Sequence, residues 1–154
     1  MTAPDARDGA AAPTSIHVDE FLGHPPAAVW RALTEPGLLA RWLMPNDFAP
    51  VVGHEFTFRA VPLPDAGFDG VVRCQVLAVE PVHLLRIGWR GGSLDTTVTW
   101  RLVPEGRGTR LLLDHEGFDP GDEVQRRALR GLGGGWRGHL LARLDELLNT
   151  LPPP

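Results

Sequence analysis

The run PPAAVWRALTEPGLLARWLMP, Pro25 to Pro45, decides how this chain folds. Pro25 and Pro26 suit the start of a helix, where a missing N–H costs little, whereas Pro36 cannot extend a helix already under way. The stretch therefore predicts two short helices separated at Glu35-Pro36. Val29, Trp30 and Leu33 fall one helical turn apart, and Leu38 or Leu39 stands in the same relation to Trp42 and Leu43. Each piece carries an apolar stripe too short to be stable alone, so a larger surface must cover both.

Strands supply that surface. Ile16 and Val18 alternate with polar neighbours over Ser15 to Leu22, which predicts a half-buried strand ahead of the helix pair. After the pair come further period-two runs: His54, Phe56, Phe58; Val72, Cys74, Val76; Leu85, Ile87, Trp89; Thr96, Val98, Trp100, Leu102; and Leu111, Leu113. Short connections at Glu80-Pro81, Arg90-Gly91-Gly92-Ser93 and Glu105-Gly106-Arg107-Gly108 suit tight turns, while Pro62 to Gly67 makes a longer loop. Strands joined this way are antiparallel, with one wet face and one covered face. The cover is a C-terminal helix marked by Trp136, Leu140, Leu144 and Leu147 or Leu148, about 15 residues and roughly 22 Å long. Because glycine is a poor helix former, that helix is expected to begin near Trp136, with Gly133-Gly134-Gly135 as a hinge and Gly121 to Arg130 as a separate, weaker turn or helix.

A chain of 154 residues makes one domain, expected over residues 15–149, with a disordered tail at 1–14 and a frayed end at 150–154. The net charge is −4, and all 15 basic residues are arginine, with no basic block. That balance argues against a nucleic-acid platform. No stretch approaches the roughly 20 apolar residues of a membrane span, and residues 1–14 lack the pattern of a signal peptide. The single Cys74 excludes an intramolecular disulfide. These features predict a cytoplasmic protein without membrane insertion, monomeric or weakly dimeric.

In its order of strand, broken helix pair, antiparallel strands and last helix, the chain resembles the START-like (SRPBCC) superfamily. Within it the branch named after the activator of the heat-shock-protein-90 ATPase is most similar. The residues carrying the resemblance are Pro26 to Pro36, Leu38 to Trp42, Val52-Gly53, Thr97 to Trp100 with Thr109 to Leu111, and Gly135-Trp136. The resemblance implies an α+β helix-grip fold: a curved antiparallel sheet of six or seven strands around a long C-terminal helix, with a cavity between them. It also implies partners drawn from lipids, polyketides, hormones or a chaperone, the last in a stress response. One departure stands at His54, where the family often has glycine. A looser likeness to enediyne-antibiotic self-resistance proteins runs through Ile87 to Arg90, His115 to Asp119 and Gly135-Trp136.

Extending Leu111 and Leu113 by one step of the alternation puts His115 on the apolar side of the sheet, where a neutral imidazole can orient a ligand hydroxyl or carbonyl. His54 is a second polar candidate, and Phe56, Phe58, Phe68, Trp89, Trp100, Phe118 and Trp136 are the aromatic candidates for pocket walls. Catalysis finds less support. The only serines, Ser15 and Ser93, sit in no nucleophile elbow, Cys74 between Val72 and Val76 reads as a buried hydrophobe, and the six histidines show no metal-ligand spacing. The expected function is noncatalytic binding of a small apolar or aromatic molecule, with no cofactor and no metal. The alternatives are a co-chaperone acting through its surface, a polyketide cyclase or dehydratase, and antibiotic sequestration.

Overall fold

A computed structural model describes residues 14–152, so the expected N-terminal tail lies outside the described residues except for Thr14, as do Pro153 and Pro154. Six strands form one antiparallel sheet: β1 (Ser15–Leu22), β2 (Glu55–Arg59), β3 (Val71–Glu80), β4 (Leu84–Gly91), β5 (Leu94–Glu105) and β6 (Gly108–Glu116). Their spatial order is β1-β6-β5-β4-β3-β2, so every sequential pair from β2 to β6 is a hairpin, and β1 closes the far side against β6. The register aligns the alternating apolar residues into rows. Val76, Ile87, Val98, His115 and Ile16 form one row, and Leu85, Trp100, Leu113 and Val18 another. All nine are buried on the covered face.

Helices α1 (Pro26–Thr34) and α2 (Pro36–Trp42) follow β1 as the prolines require. Glu35 is extended, with φ −93° and ψ 117°, as a residue before proline prefers. It ends α1 and starts α2. Trp42 locks the two together by donating Nε1–H to the Ala32 carbonyl at 2.9 Å, and Thr109 fastens the approach to α1 by donating to the His24 carbonyl at 2.7 Å.

The C-terminal region departs from expectation. Helix α3 (Glu123–Arg137) runs without interruption through Gly133-Gly134-Gly135, so Gly121 to Arg130 is not a separate element and the glycine run is not a hinge. The break falls at Gly138, and α4 (His139–Thr150) continues from there. Packing overrides propensity here. Gly133 and Gly135 are buried, and a Cβ on Gly133 would stand at ordinary contact distance, 3.8 Å, from Ile16, so it is the contacts between α3 and β1, not steric need for glycine, that accompany the helical run. At Gly138 a Cβ would come within 2.7 Å of the Gly134 carbonyl oxygen, a contact only glycine avoids. At the other end the Asp122 carboxylate caps α3 by accepting from the Val124 and Gln125 amides.

The turn between β3 and β4 contains a strained residue. His83 N–H bonds the Glu80 carbonyl at 2.8 Å, and Val82 sits at φ +69°, a left-handed conformation costly for a β-branched side chain. Replacing Val82 with glycine is expected to stabilise the protein by about 1 kcal/mol, raising the thermal midpoint by about 2–4 °C. A melting curve that is unchanged or lower would refute this.

Candidate functional site

His115 is the chemical centre of the covered face, and it is wholly buried. Both ring nitrogens are engaged. Trp136, at the end of α3, points its Nε1 at His115 Nδ1 from 3.1 Å, and Thr96 places Oγ1 2.8 Å from Nε2. An indole N–H can only donate, so Nδ1 must accept and the proton resides on Nε2. Nε2–H donates to Thr96, whose hydroxyl passes its own hydrogen to the Trp89 carbonyl at 2.8 Å. Burial drives the imidazole pKa from 6.5 down to about 3. His115 is therefore a neutral clasp joining α3 to β4, β5 and β6.

Around the clasp all the nominated residues but Phe68 form one continuous ladder. His54 stacks on Phe56, Phe56 meets Phe58 edge-on, and Phe58 lies 5.5 Å from Trp89. Trp89 contacts both His115 and Trp136, Phe118 covers His115 at 4.7 Å, and Trp100 closes on Trp136. His54 itself bonds the Asp47 carbonyl through Nε2 at 2.9 Å. These eight residues thus belong to one contact network, six of them on strand faces or beside them and Phe118 and Trp136 brought in by the loop and helix that follow.

The hollow lies to one side of that network. Between Trp100, Trp136, Leu144 and their neighbours the packing leaves only about 10 Å³, room for one water at most. A cavity of about 410 Å³ opens instead beneath the first half of α3. Val72, Trp89 and Leu94 form its sheet wall, Val124, Ala128 and Leu132 its helix wall, and Met44, Leu63 and Phe68 its remaining side. Of the nine nominated residues, only Trp89 and Phe68 reach this lining. Phe68 packs beneath the β4–β5 turn, where a Cβ on Gly91 would meet its ring at 3.1 Å.

Sequence reasoning missed the polar stitches. Gln125 is buried at the start of α3, where Oε1 accepts from Asp119 N–H and Nε2 donates to the Ser93 carbonyl, both at 2.8 Å. This pins α3 to the β4–β5 turn and so holds one end of the cavity. Gln125 sits two residues beyond the N-terminal residue of a capped helix, and only its polarity on a face of mostly apolar neighbours hinted at burial.

Other reactive groups lie elsewhere. The Cys74 thiol is buried against the ladder and pushed up to about 12, chiefly by burial, which leaves it un-ionised at neutral pH. Ser15 Oγ approaches His17 Nε2 at 2.9 Å, and His17 Nδ1 contacts Asp114. This trio occupies the solvent side of β1 and β6, with His17 67% exposed, and none of it lines the cavity. Among the described residues no three histidine, cysteine or carboxylate side chains converge as metal ligands, and no helix is long and apolar enough to cross a membrane.

An antiparallel sheet gripping C-terminal helices, with an apolar cavity between them, defines an α+β helix-grip protein of the START-like class. The chain belongs to the family described as activator of Hsp90 ATPase homolog 1-like protein, whose model matches residues 23–149. Among solved structures it is similar to protein MLL2253 from Mesorhizobium loti, at 39% identity over 90% of this chain and 98% of that one, with a TM-score of 0.79. It is also similar to CalU16 from Micromonospora echinospora, at 27% identity over 88% of this chain and 76% of that one, TM-score 0.70. DynU16, a putative protein in the dynemicin biosynthetic locus, shares the fold at 23% identity and TM-score 0.72, over 90% of this chain and 48% of its own length. No curated protein matches the chain.

Proposed function

We propose that this protein binds a small apolar or aromatic molecule in the cavity beneath α3, without turning it over, and that it does so in the cytoplasm. The cavity carries the reading. Its volume of about 410 Å³ falls within the range of small-molecule sites, about 300–1,000 Å³. Its walls come from Trp89, Phe68, Met44 and aliphatic side chains, which favour a flat or flexible apolar body. No carboxylate, imidazole or thiol lines it, so the cyclase reading lacks an acid or base within reach of a ligand. His115 contributes indirectly, because its clasp fixes Trp89 and α3.

Amide chemical-shift titrations with flavone and decanol test the proposal. Shifts are expected at Phe68, Trp89, Leu94, Ala128 and Leu132, and Ala128→Phe, which projects a ring into the hollow, is expected to weaken binding at least about tenfold, the equivalent of about 1.4 kcal/mol. Absence of shifts, or binding indifferent to Ala128→Phe, would overturn the reading. The family match favours a second reading, a co-chaperone acting through its surface. Stimulation of a chaperone ATPase that persists in the Ala128→Phe variant would establish that alternative.

A further inference from the structure

We propose that the cavity selects amphipathic carboxylates: ligands with a compact apolar body and a single anionic head, the head seated on Arg127. The inference rests on the binding function proposed above and adds the charge of the ligand to it.

The lining is almost entirely apolar, and its polar side chains are two, Ser93 and Arg127. Arg127 is the only charged residue among them, in a protein whose net charge is −4. It occupies the helix wall beside Val124, Ala128 and Gly131, with its side chain 60% exposed at the rim. Its local partner is weakly engaged. Arg127 Nε stands 3.8 Å from Glu123 Oε1, whereas the other oxygen of Glu123 is in close contact with Arg126 Nη2. Arg126 also donates Nη1–H to the Pro120 carbonyl, which fixes it away from the cavity.

The terminal amino groups of Arg127 therefore have no protein acceptor among the described residues. A guanidinium presents parallel N–H donors that match the two oxygens of a carboxylate. A ligand whose apolar part fills the hollow brings its head to the rim, where that fork is available. Placing the charge at the rim rather than deep in the cavity also avoids the heavy desolvation cost of a buried ion. A doubly charged phosphate finds no second cation in the lining, so the singly charged head is the better match.

Calorimetric titration with decanoate and its neutral isostere decanamide tests this. The expected result is decanoate binding about tenfold tighter than decanamide at low salt, with the difference shrinking at high ionic strength as a partly exposed ion pair requires. Arg127→Gln should abolish the preference for decanoate over decanamide, and Ala128→Phe should weaken both ligands. Equal binding of the two, or a decanoate preference that survives Arg127→Gln, would overturn the charge selection while leaving the apolar site intact. Failure of both ligands to bind, with flavone and decanol also inert, would overturn the site and the selection together.

Discussion

Lowering the pH from 7.5 to 5 is expected to remove about 2 kcal/mol of folding stability, and lowering it to 4 about 3 kcal/mol, through His115 alone. The folded imidazole has its pKa depressed from 6.5 to about 3 because it is buried. Protonation would also set Nδ1–H against the Trp136 N–H, which can only donate. Between these two values the unfolded chain takes up a proton that the folded chain refuses, so stability is full above pH 6.5 and falls as the pH drops towards 3. Carboxylates act lower. Thr57 N–H holds the Asp47 carboxyl below the usual range, Arg73 does so for Asp69, and Arg126 for Glu123, so their contributions fade only at more acidic pH. Urea unfolding at pH 7.5, 6 and 5 measures the slope. His115→Gln supplies an acceptor for Trp136 and a donor for Thr96 without a titrating proton, and it should flatten this part of the curve. A wild-type midpoint equal at pH 7.5 and 5, or a slope retained in His115→Gln, would show that the imidazole is not the acid-sensitive group.

Replacing Trp136 with alanine is expected to cost about 4–5 kcal/mol, near the upper end for a large buried aromatic. Two losses combine in it. The indole fills the space between Trp89 and Trp100, with ring centroids 5.8 and 5.9 Å away, so its removal opens a void at the junction of sheet and helix. It also strips His115 Nδ1 of its donor, leaving a buried acceptor unpaired. Trp136→Phe keeps most of the volume and loses only the hydrogen bond, so about 1–3 kcal/mol is expected for it. Chemical denaturation of the two variants separates the terms; a cost for Trp136→Ala under about 2 kcal/mol would mean that the clasp does not hold α3.

The arrangement of the sheet was legible because its physics is local. Ile87, Val98, His115 and Ile16 each sit at an apolar step of a two-residue alternation, and pairing by short turns aligns them with no further information. Pro36 broke the helix pair by removing a backbone donor and a helical conformation from its predecessor, again within a few residues. The burial of His115 followed from the same alternation. Its partners did not, because Thr96 and Trp136 reach it from β5 and α3, 19 and 21 positions away.

Residues judged by propensity alone were misread where another element set the outcome. Gly133 to Gly135 looked like a hinge because glycine weakens an isolated helix, yet the run is helical where α3 packs on β1. The position of the hollow also depends on where α3 lies over the sheet. Trp136 and Leu144 seal the space near Trp100, and the void remains where Val124, Ala128 and Leu132 face Trp89 across the sheet. Nothing in the sequence marked Arg127, since only the placement of α3 over the sheet turns that position into a cavity rim.

Sequence by itself determined the alternation of wet and dry strand faces, the broken helix pair and the burial of a lone imidazole, since each depends on periodicity or on the covalent chemistry of proline. Tertiary structure alone decided where the helices lie, which nitrogen of His115 bears the proton, and which residues surround empty space. Those depend on the distances between segments remote in the chain, and a void is a property of what several elements together fail to fill.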